Sequence, residues 1–301
     1  MKVGAEVSKR FVANVGGTLA GFVGTAVIGH VLGEEGIGTY AIFLSLQMLV
    51  AAVVTFGLFS AVTKLVSEGE HQARHFVSGV LFVASGTLVA AVGVVFLRGR
   101  INDVLGTGGA LLLPLGVLTW GLLRVTGAFL EGQGRVALAG FIENARYVLV
   151  VAVQLFLLLV LDWGVRGLFW GLIAGQFGAF VVAYAYARVV PARPSRALFG
   201  EFVAFSKFAY LRTVAEQLFK HADYILLGAF VGPGAAGIYK VSFTVTEAAM
   251  LFSAALSDVS FPQFSRLSAE ERAERVRSLL GKATSYAGLF ALPALAGGAV
   301  V

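Results

Sequence analysis

The chain has 301 residues, of which 58% are hydrophobic and only 13% are charged. Soluble domains carry about 25% charged residues, so the composition excludes a soluble globular fold and predicts an integral membrane protein. In a membrane protein the net charge of +6 does not indicate nucleic acid, and we expect no nucleic-acid partner. The absence of cysteine excludes disulfides, Cys-based metal centres and thiol catalysis.

Eight apolar segments are each long enough for a helix that crosses a bilayer, which needs about 20 residues. They cover residues 11–32, 40–63, 76–97, 110–130, 141–161, 166–189, 207–231 and 238–261, and a ninth begins near Ala283. The connections are short and contain Gly, Pro or charged residues. We therefore expect an all-α membrane bundle of about eight or nine transmembrane helices, without a separate soluble domain.

Lysine and arginine concentrate in alternate connections between these segments. One side holds Lys2, Lys9, Arg10, Lys64, Arg74, Arg135, Arg188, Arg193, Arg196, Lys207, Arg266, Arg272, Arg275, Arg277 and Lys282, and the other holds Arg98, Arg100 and Arg166. Connections rich in Lys and Arg stay in the cytoplasm. The asymmetry predicts a multi-pass protein of the cytoplasmic membrane with its N-terminus inside.

Two connections on the outer side resemble each other at a constant offset of 199 residues. The segment Val31–Tyr40 is similar to Phe230–Tyr239, and the offset takes Gly33 to Gly232, Gly38 to Gly237 and Tyr40 to Tyr239. An offset of six spans preserves orientation, so it predicts parallel lobes related by an axis along the membrane normal. The alternative is a chance similarity between short segments of biased composition.

The repeat predicts a division of the chain into two lobes. Residues 1–195 would form a complete N-terminal six-helix lobe, and residues 196–301 the start of a C-terminal lobe. Two such lobes need about 400 residues, counted from the repeat itself. Since the sequence ends in an apolar run, we expect a truncated chain or a fragment.

The seventh apolar segment carries charged residues on one helical face. Arg212, Glu216, Lys220 and Asp223 follow one another at steps of 4, 4 and 3 residues, and Leu211, Val214, Leu218 and Ile225 lie opposite. Ionisable groups at membrane depth are costly and usually face a cavity or a partner. We expect this face to line a polar cavity; a salt-bridge ladder and a surface amphipathic helix are the alternatives.

Other intramembrane charges are further candidates for the cavity. They are Arg124 in the fourth segment, Glu143 and Arg146 at the start of the fifth, and Lys240, Glu247 and Asp258 in the eighth. Arg124 is the deepest, whereas Glu143, Arg146 and Lys240 lie near segment ends and could extend to the interface.

Motifs of enzymes and metal sites are missing from the sequence. His71 and His75 lie four residues apart but have no third ligand nearby, so we expect no metal site. There is no Walker A motif, G-x-S-x-G or H-E-x-x-H. We expect no catalytic residue, no cofactor and no enzymatic activity.

Several segments resemble the polysaccharide-transport flippases of the multidrug/oligosaccharidyl-lipid/polysaccharide exporter superfamily. These are the basic N-terminus, Val31–Tyr40, Phe56–Val66, the second-lobe opening Phe205–Tyr239 and Phe261-Pro262. The motifs are mostly Gly, Tyr and apolar positions, so they indicate a family and not one substrate. The resemblance implies two six-helix lobes around a central cavity and transfer of lipid-linked oligosaccharides to the outer leaflet by alternating access.

The resemblance also implies roles for the candidate residues. Arg124, Arg146, Arg212 and Lys220 would contact the pyrophosphate headgroup of the lipid-linked glycan, because cationic side chains bind phosphate well. Glu216, Asp223 and Glu247 would pair with these cations or carry coupling protons, and sodium is the other coupling ion to consider. Membrane lipids would surround the bundle.

Three other functions remain open at the level of the sequence. A cation-coupled multidrug exporter of the same superfamily would favour an acidic cavity, whereas these charges are balanced. A membrane-embedded glycan polymerase or ligase would carry a large outer loop, but the longest outer connection is about Arg98–Gly109. A membrane scaffold would leave the charges of the seventh segment unexplained.

Overall fold

The computed structural model describes residues 2–189, 192–193 and 196–246, which are helical apart from short connections and contain no strand. The chain divides into two compact units, 1–240 and 241–301, and the account below concerns the first. The predicted ninth segment, most of the eighth, Glu247 and Asp258 lie outside the described residues. The all-α prediction is confirmed for the part that the structure describes.

The helices follow the predicted order of apolar segments. They are α1 (Lys2–Thr55), α2 (Leu58–Ser67), α3 (Gln72–Leu105), α4 (Leu113–Gly132), α5 (Val136–Leu159), α6 (Gly164–Ala187), α7 (Arg196–Phe230) and α8 (residues 233–246), with a 3-10 turn at Ala110–Leu112. Five described helical segments are long and apolar enough to cross a membrane: Gly21–Thr55, Gln72–Leu105, Ala110–Gly132, Val136–Leu159 and Gly164–Ala187. The chain is therefore a multi-pass membrane protein.

The first two predicted spans meet at a sharp turn inside α1. Gly33 has φ 68° and ψ −171°, a conformation outside the helical region that glycine adopts without steric cost. The Ile37 side chain lies 2.7 Å from where a Cβ on Gly29 would be. Residues eight apart in a straight helix are about 12 Å apart, so the chain changes direction strongly at Gly33.

The second predicted span is interrupted before its end. Phe56 and Gly57 both have positive φ, 46° and 73°, and separate α1 from α2. Phe56 is not a glycine, so this conformation is costly unless its surroundings hold it. The Phe56 ring stacks on Tyr210 of α7 with centroids 4.2 Å apart, which places α7 directly beside the break.

An asparagine fixes the connection between α3 and α4. The Asn102 side-chain oxygen accepts hydrogen bonds from the backbone N–H groups of Gly109 and Ala110, at 3.1 and 3.0 Å. These donors precede the helix and have no intrahelical partner of their own. The C-terminal end of α3 and the start of α4 are thereby held together.

Helix α7 packs on α1, α2 and α3 through one side. Tyr224 is buried, Gly228 approaches the Ile42 side chain of α1, and His221 Nδ1 lies 3.2 Å from the Ser45 hydroxyl. We call this contact between α7 and the segment from Ile42 to Phe56 the seam. The packing side of α7 therefore differs from both its charged face and the apolar face predicted opposite it, whose Leu211 and Leu218 are exposed.

Candidate substrate cavity

A pocket of about 100 Å³ lies between α4, α5 and α6. Three ionisable side chains line it together with apolar groups: Arg124 and Glu131 from α4, and Glu143 from α5. A Cβ on Gly127, also in the lining, would meet nothing within 4 Å, so the pocket has open space beside α4. The pocket thus combines one guanidinium and two carboxylates with an apolar wall.

Arg146 is buried beside this pocket, with 6% of its surface exposed. Its Nη2 and Nε lie 2.9 and 3.3 Å from the same Glu143 carboxylate oxygen, and its guanidinium carbon lies 4.1 Å from the Tyr147 ring centre. The ion pair and the cation–π contact compensate the loss of hydration. Arg146 therefore turns inward and does not extend to the membrane interface.

The depth of Arg146 follows from where α5 begins. The sequence predicted a span from residue 141, but α5 begins at Val136. Ten residues of helix put Arg146 about 15 Å along the axis. The expectation that Arg146 lies near a helix end is wrong because residues 136–140, which the prediction left in the connection, belong to the helix.

Arg124 meets an aromatic ring at the pocket. Its guanidinium carbon lies 5.6 Å from the centre of the Phe59 ring, which in turn makes an edge contact with Trp120. Among the described residues no carboxylate lies within ion-pair distance of Arg124. Its donors are therefore available to an anion that enters the pocket.

The charged face of α7 is exposed. Arg212 Nε lies 2.8 Å from Glu216 Oε1, with the two side chains 82% and 50% exposed. Asp223 accepts a hydrogen bond of 2.8 Å from the Tyr239 hydroxyl, and Lys220 is exposed. Within the described helices the alternative of a salt-bridge ladder thus holds for one ion pair, and the remaining two charges do not continue it.

The structure brings together some predicted residues and separates others. Arg124 and Glu143 line the pocket of α4, α5 and α6, and Arg146 is joined to it through its ion pair with Glu143. Arg212, Glu216, Lys220 and Asp223 lie on α7, which packs on α1, α2 and α3. Glu247 lies outside the described residues. The candidates therefore form two groups on different helices, and their joint role in one cavity stays a prediction.

Sequence reasoning missed a buried polar cluster of uncharged side chains. Gln176 Oε1 lies 2.9 Å from the Thr119 hydroxyl and 3.4 Å from Gln47 Nε2, linking α6, α4 and α1. Gln47 and Gln176 have no exposed surface, and Gln47 Oε1 and Gln176 Nε2 have no hydrogen-bond partner in the described part of the chain. The two glutamines within apolar segments of the sequence could have indicated this cluster, but only charged residues were considered.

His221 is a second residue that sequence reasoning missed. It lies next to Lys220 in sequence but on the seam side of α7, half-buried against Ser45. A histidine between two packed helices can exchange a proton when water reaches it. The sequence could have indicated His221 as a candidate, because it lies within the seventh apolar segment.

The sequence matches known families over most of its length. Residues 27–301 match the profile of a family described as "Polysaccharide biosynthesis protein". The chain is 26% identical over 295 residues to the "Probable low-salt glycan biosynthesis flippase Agl15" of Haloferax volcanii, covering 96% of this chain and 61% of that protein. It is 25% identical over 309 residues to the "Probable flippase AglR" of the same organism, covering 100% and 63%. The chain thus spans about three fifths of the length of these curated relatives.

Two solved structures share the fold. The multidrug transporter DinF-BH of the MATE family superposes with a TM-score of 0.64 at 15% identity, covering 95% of this chain and 70% of that one. An inward-facing multidrug resistance MATE family transporter of the MOP superfamily also gives 0.64, at 16% identity, covering 93% and 69%. At these identities the likeness concerns the fold alone.

Proposed function

Because the chain belongs to the polysaccharide biosynthesis protein family of the multidrug/oligosaccharidyl-lipid/polysaccharide exporter superfamily, we propose that it is a flippase. It moves lipid-linked oligosaccharide or polysaccharide precursors across the cytoplasmic membrane by alternating access between two lobes. It acts as a transporter and not as an enzyme, with its N-terminus in the cytoplasm. The observation that carries the proposal is the family match over residues 27–301, together with relatives named as flippases.

Arginine chemistry in the pocket of α4, α5 and α6 supports an anionic headgroup as the cargo. Arg124 has donors without a carboxylate partner among the described residues, and Arg146 is held by Glu143 in a buried pair. Guanidinium binds phosphate in a bidentate manner, and such charge-assisted hydrogen bonds are about twice as strong as neutral ones. A phosphate or pyrophosphate group would bind Arg124 and compete with Glu143 for Arg146.

The charged face of α7 would line the path that the glycan takes. Arg212 and Lys220 would contact the anionic group, and Glu216 and Asp223 would pair with them or bind a coupling proton or sodium ion. Glu247 belongs to the same proposal. Exposure of this face supports a hydrated path, since a charged side chain facing lipid is costly.

A multidrug exporter is the second candidate, favoured by the fold shared with two MATE transporters. Such an exporter would carry organic cations and would need an acidic cavity. The pocket of α4, α5 and α6 has two carboxylates, but one of them is already bound to Arg146. The flippase proposal therefore fits the described charges better.

Deletion of the gene separates the two candidates. Intact cells of the deletion strain are treated with a glycan hydrolase that cannot cross the membrane, and the lipid-linked glycans are then extracted; those that survive are assigned to the cytoplasmic leaflet. A flippase predicts accumulation on the cytoplasmic leaflet, restored by the wild-type gene. Unchanged glycans with increased sensitivity to cationic dyes would support the exporter and contradict the flippase.

A further inference from the structure

The two repeated segments touch each other, and their contact is reciprocal. A Cβ on Gly38 would overlap the carbonyl oxygen of Pro233, and a Cβ on Gly237 would overlap the carbonyl oxygen of Glu34. The offset of 199 residues takes Glu34 to Pro233 and Gly38 to Gly237. Exchanging the two segments therefore reproduces the same contact, as in an interface with two-fold symmetry.

Glycine is required at Gly38 and Gly237 because the two backbones lie too close for a side chain, and not because of the backbone conformation. Neither Gly38 nor Gly237 has a positive φ, whereas the turn glycines of the two segments, Gly33 and Gly232, do, at 68° and 122°. A Cβ on Gly38 would also lie 2.8 Å from the backbone nitrogen of Gly237. Backbone atoms cannot swing aside as a side chain can, so any larger residue here must separate the segments.

The contact belongs to a closed layer at one end of the bundle. Pro233 Cγ lies 2.9 Å from where a Cβ on Gly106 would be, at the end of α3. The Thr39 hydroxyl donates a hydrogen bond of 3.0 Å to the carbonyl oxygen of Leu105. Below this layer Ile42 meets Gly228, and Ser45, only 1% exposed, meets His221. The contacts of α1 with α7 and α8 are thus closed from Gly38 to Ser45.

We propose that the reciprocal contact of Gly38 and Gly237 is the outer gate of the transport path. It keeps the outer end shut in the conformation described here, and it opens when the two segments separate. The inference rests on the proposed transport function and on the predicted orientation. Two glycines allow the segments to meet backbone to backbone, and such a contact leaves no long side chains to disentangle when it opens.

A cysteine reporter tests the gate without knowledge of the cargo. Because the chain has no cysteine, Ser45→Cys introduces a single thiol in the closed seam. In cells a membrane-impermeant maleimide added outside should label this thiol slowly. Adding Gly38→Leu should hold the segments apart and increase labelling several-fold.

A matched glycine at the same end of the bundle is the control. A Cβ on Gly108 would meet nothing within 4 Å, so Gly108→Leu should leave labelling of the Ser45→Cys thiol at its basal rate. Equal labelling in the Gly38→Leu and Gly108→Leu proteins, at equal amounts in the membrane, would overturn the gate.

A cross-link tests the same gate in the closed state. A Cβ on Gly234 would lie 3.7 Å from Cγ of Glu34, within reach of a disulfide between Glu34→Cys and Gly234→Cys. Oxidation of this double variant should stop transport, and a reductant should restore it. Full transport by the cross-linked protein would overturn the gate. If the wild-type protein moves no lipid-linked glycan but Gly38→Leu still increases labelling of the Ser45→Cys thiol, the gate is supported and the proposed cargo is wrong.

Discussion

Arg146 and Glu143 form an ion pair inside α5, with Nη2 2.9 Å from Oε1 and the two side chains 8% and 30% exposed. Both residues lie on the same helix, one turn apart, so the pair exists without any contribution from a neighbouring helix. Its carboxylate also lines the pocket that contains Arg124. The pair therefore connects a buried cation to the space that a substrate would enter.

Replacing one member of this pair should destabilise the protein more than replacing both. Glu143→Gln leaves the buried Arg146 guanidinium without its partner, and loss of one partner of a buried pair costs about 3–5 kcal/mol. Arg146→Met should cost less, because the Glu143 side chain that it leaves is 30% exposed. The double variant Glu143→Gln with Arg146→Met should recover most of that loss. Thermal unfolding in detergent of the two single variants and the double variant measures the coupling.

Transport by the same variants separates binding from stability. If Arg146 binds the anionic headgroup, the double variant regains stability but not transport. Recovery of both stability and transport would mean that the pair is only structural, and the proposed contact with the headgroup would be abandoned.

Arg124 should matter for transport far more than for folding. Its recorded contact is with the Phe59 ring, and cation–π contacts at partly exposed sites contribute about 0.5–1 kcal/mol. Loss of a charge-assisted hydrogen bond to phosphate costs about 1.5–3 kcal/mol, or roughly 10- to 100-fold in apparent affinity. Arg124→Gln should therefore raise the substrate concentration needed for half-maximal transport by that factor.

Arg100→Gln is the matched control for Arg124, because it removes an exposed arginine near the C-terminal end of α3. It should transport at the wild-type rate. An equal effect of the two substitutions would assign the result to net charge instead of the pocket.

The α7 charges should be needed for function but not for insertion. Arg212 and Lys220 are exposed and contribute little to packing, so Arg212→Ala and Lys220→Ala should reach the membrane in normal amounts. Neither should complement a deletion strain. Leu211→Ala, which truncates an equally exposed apolar residue on the same helix, should complement. Normal complementation by both charge variants would remove α7 from the proposed path.

Single cysteines test the predicted orientation. Glu35 and Glu70 are exposed residues in connections at opposite ends of the bundle. With the N-terminus in the cytoplasm, an impermeant maleimide should label Glu35→Cys in intact cells and Glu70→Cys only after permeabilisation. The reverse pattern would invert the orientation derived from Lys and Arg.

Hydropathy predicted α3, α4, α5 and α6 well because a membrane span requires only a long apolar segment. It predicted the fifth segment to begin at residue 141, whereas α5 begins at Val136, so the expectation that Arg146 lies near a helix end was wrong. It also could not predict the link between Gln47 and Gln176, because uncharged polar residues barely change the mean hydropathy of a span. Side-chain partners depend on packing between helices that are distant in sequence.

The repeat illustrates a different limit of the sequence. Similarity between Gly33–Tyr40 and Gly232–Tyr239 predicted two related connections, but similarity carries no information on the distance between them. The contact of Gly38 with Pro233, and of Gly237 with Glu34, became visible only in three dimensions. The role of the charged face of α7 stays a prediction, because none of its residues lines the pocket that contains Arg124.

Transfer of a lipid-linked glycan between leaflets is the most direct measurement of the proposed function. The full gene product is purified and reconstituted in liposomes that carry a fluorescent lipid-pyrophosphate oligosaccharide, and a glycan-binding lectin added outside reports the exposed fraction. We predict that the exposed fraction increases with the wild-type protein and, at a lipid concentration below saturation, increases far less with Arg124→Gln. Failure of the wild-type protein to move this lipid, while it moves a cationic dye across the same membrane, would contradict the flippase function.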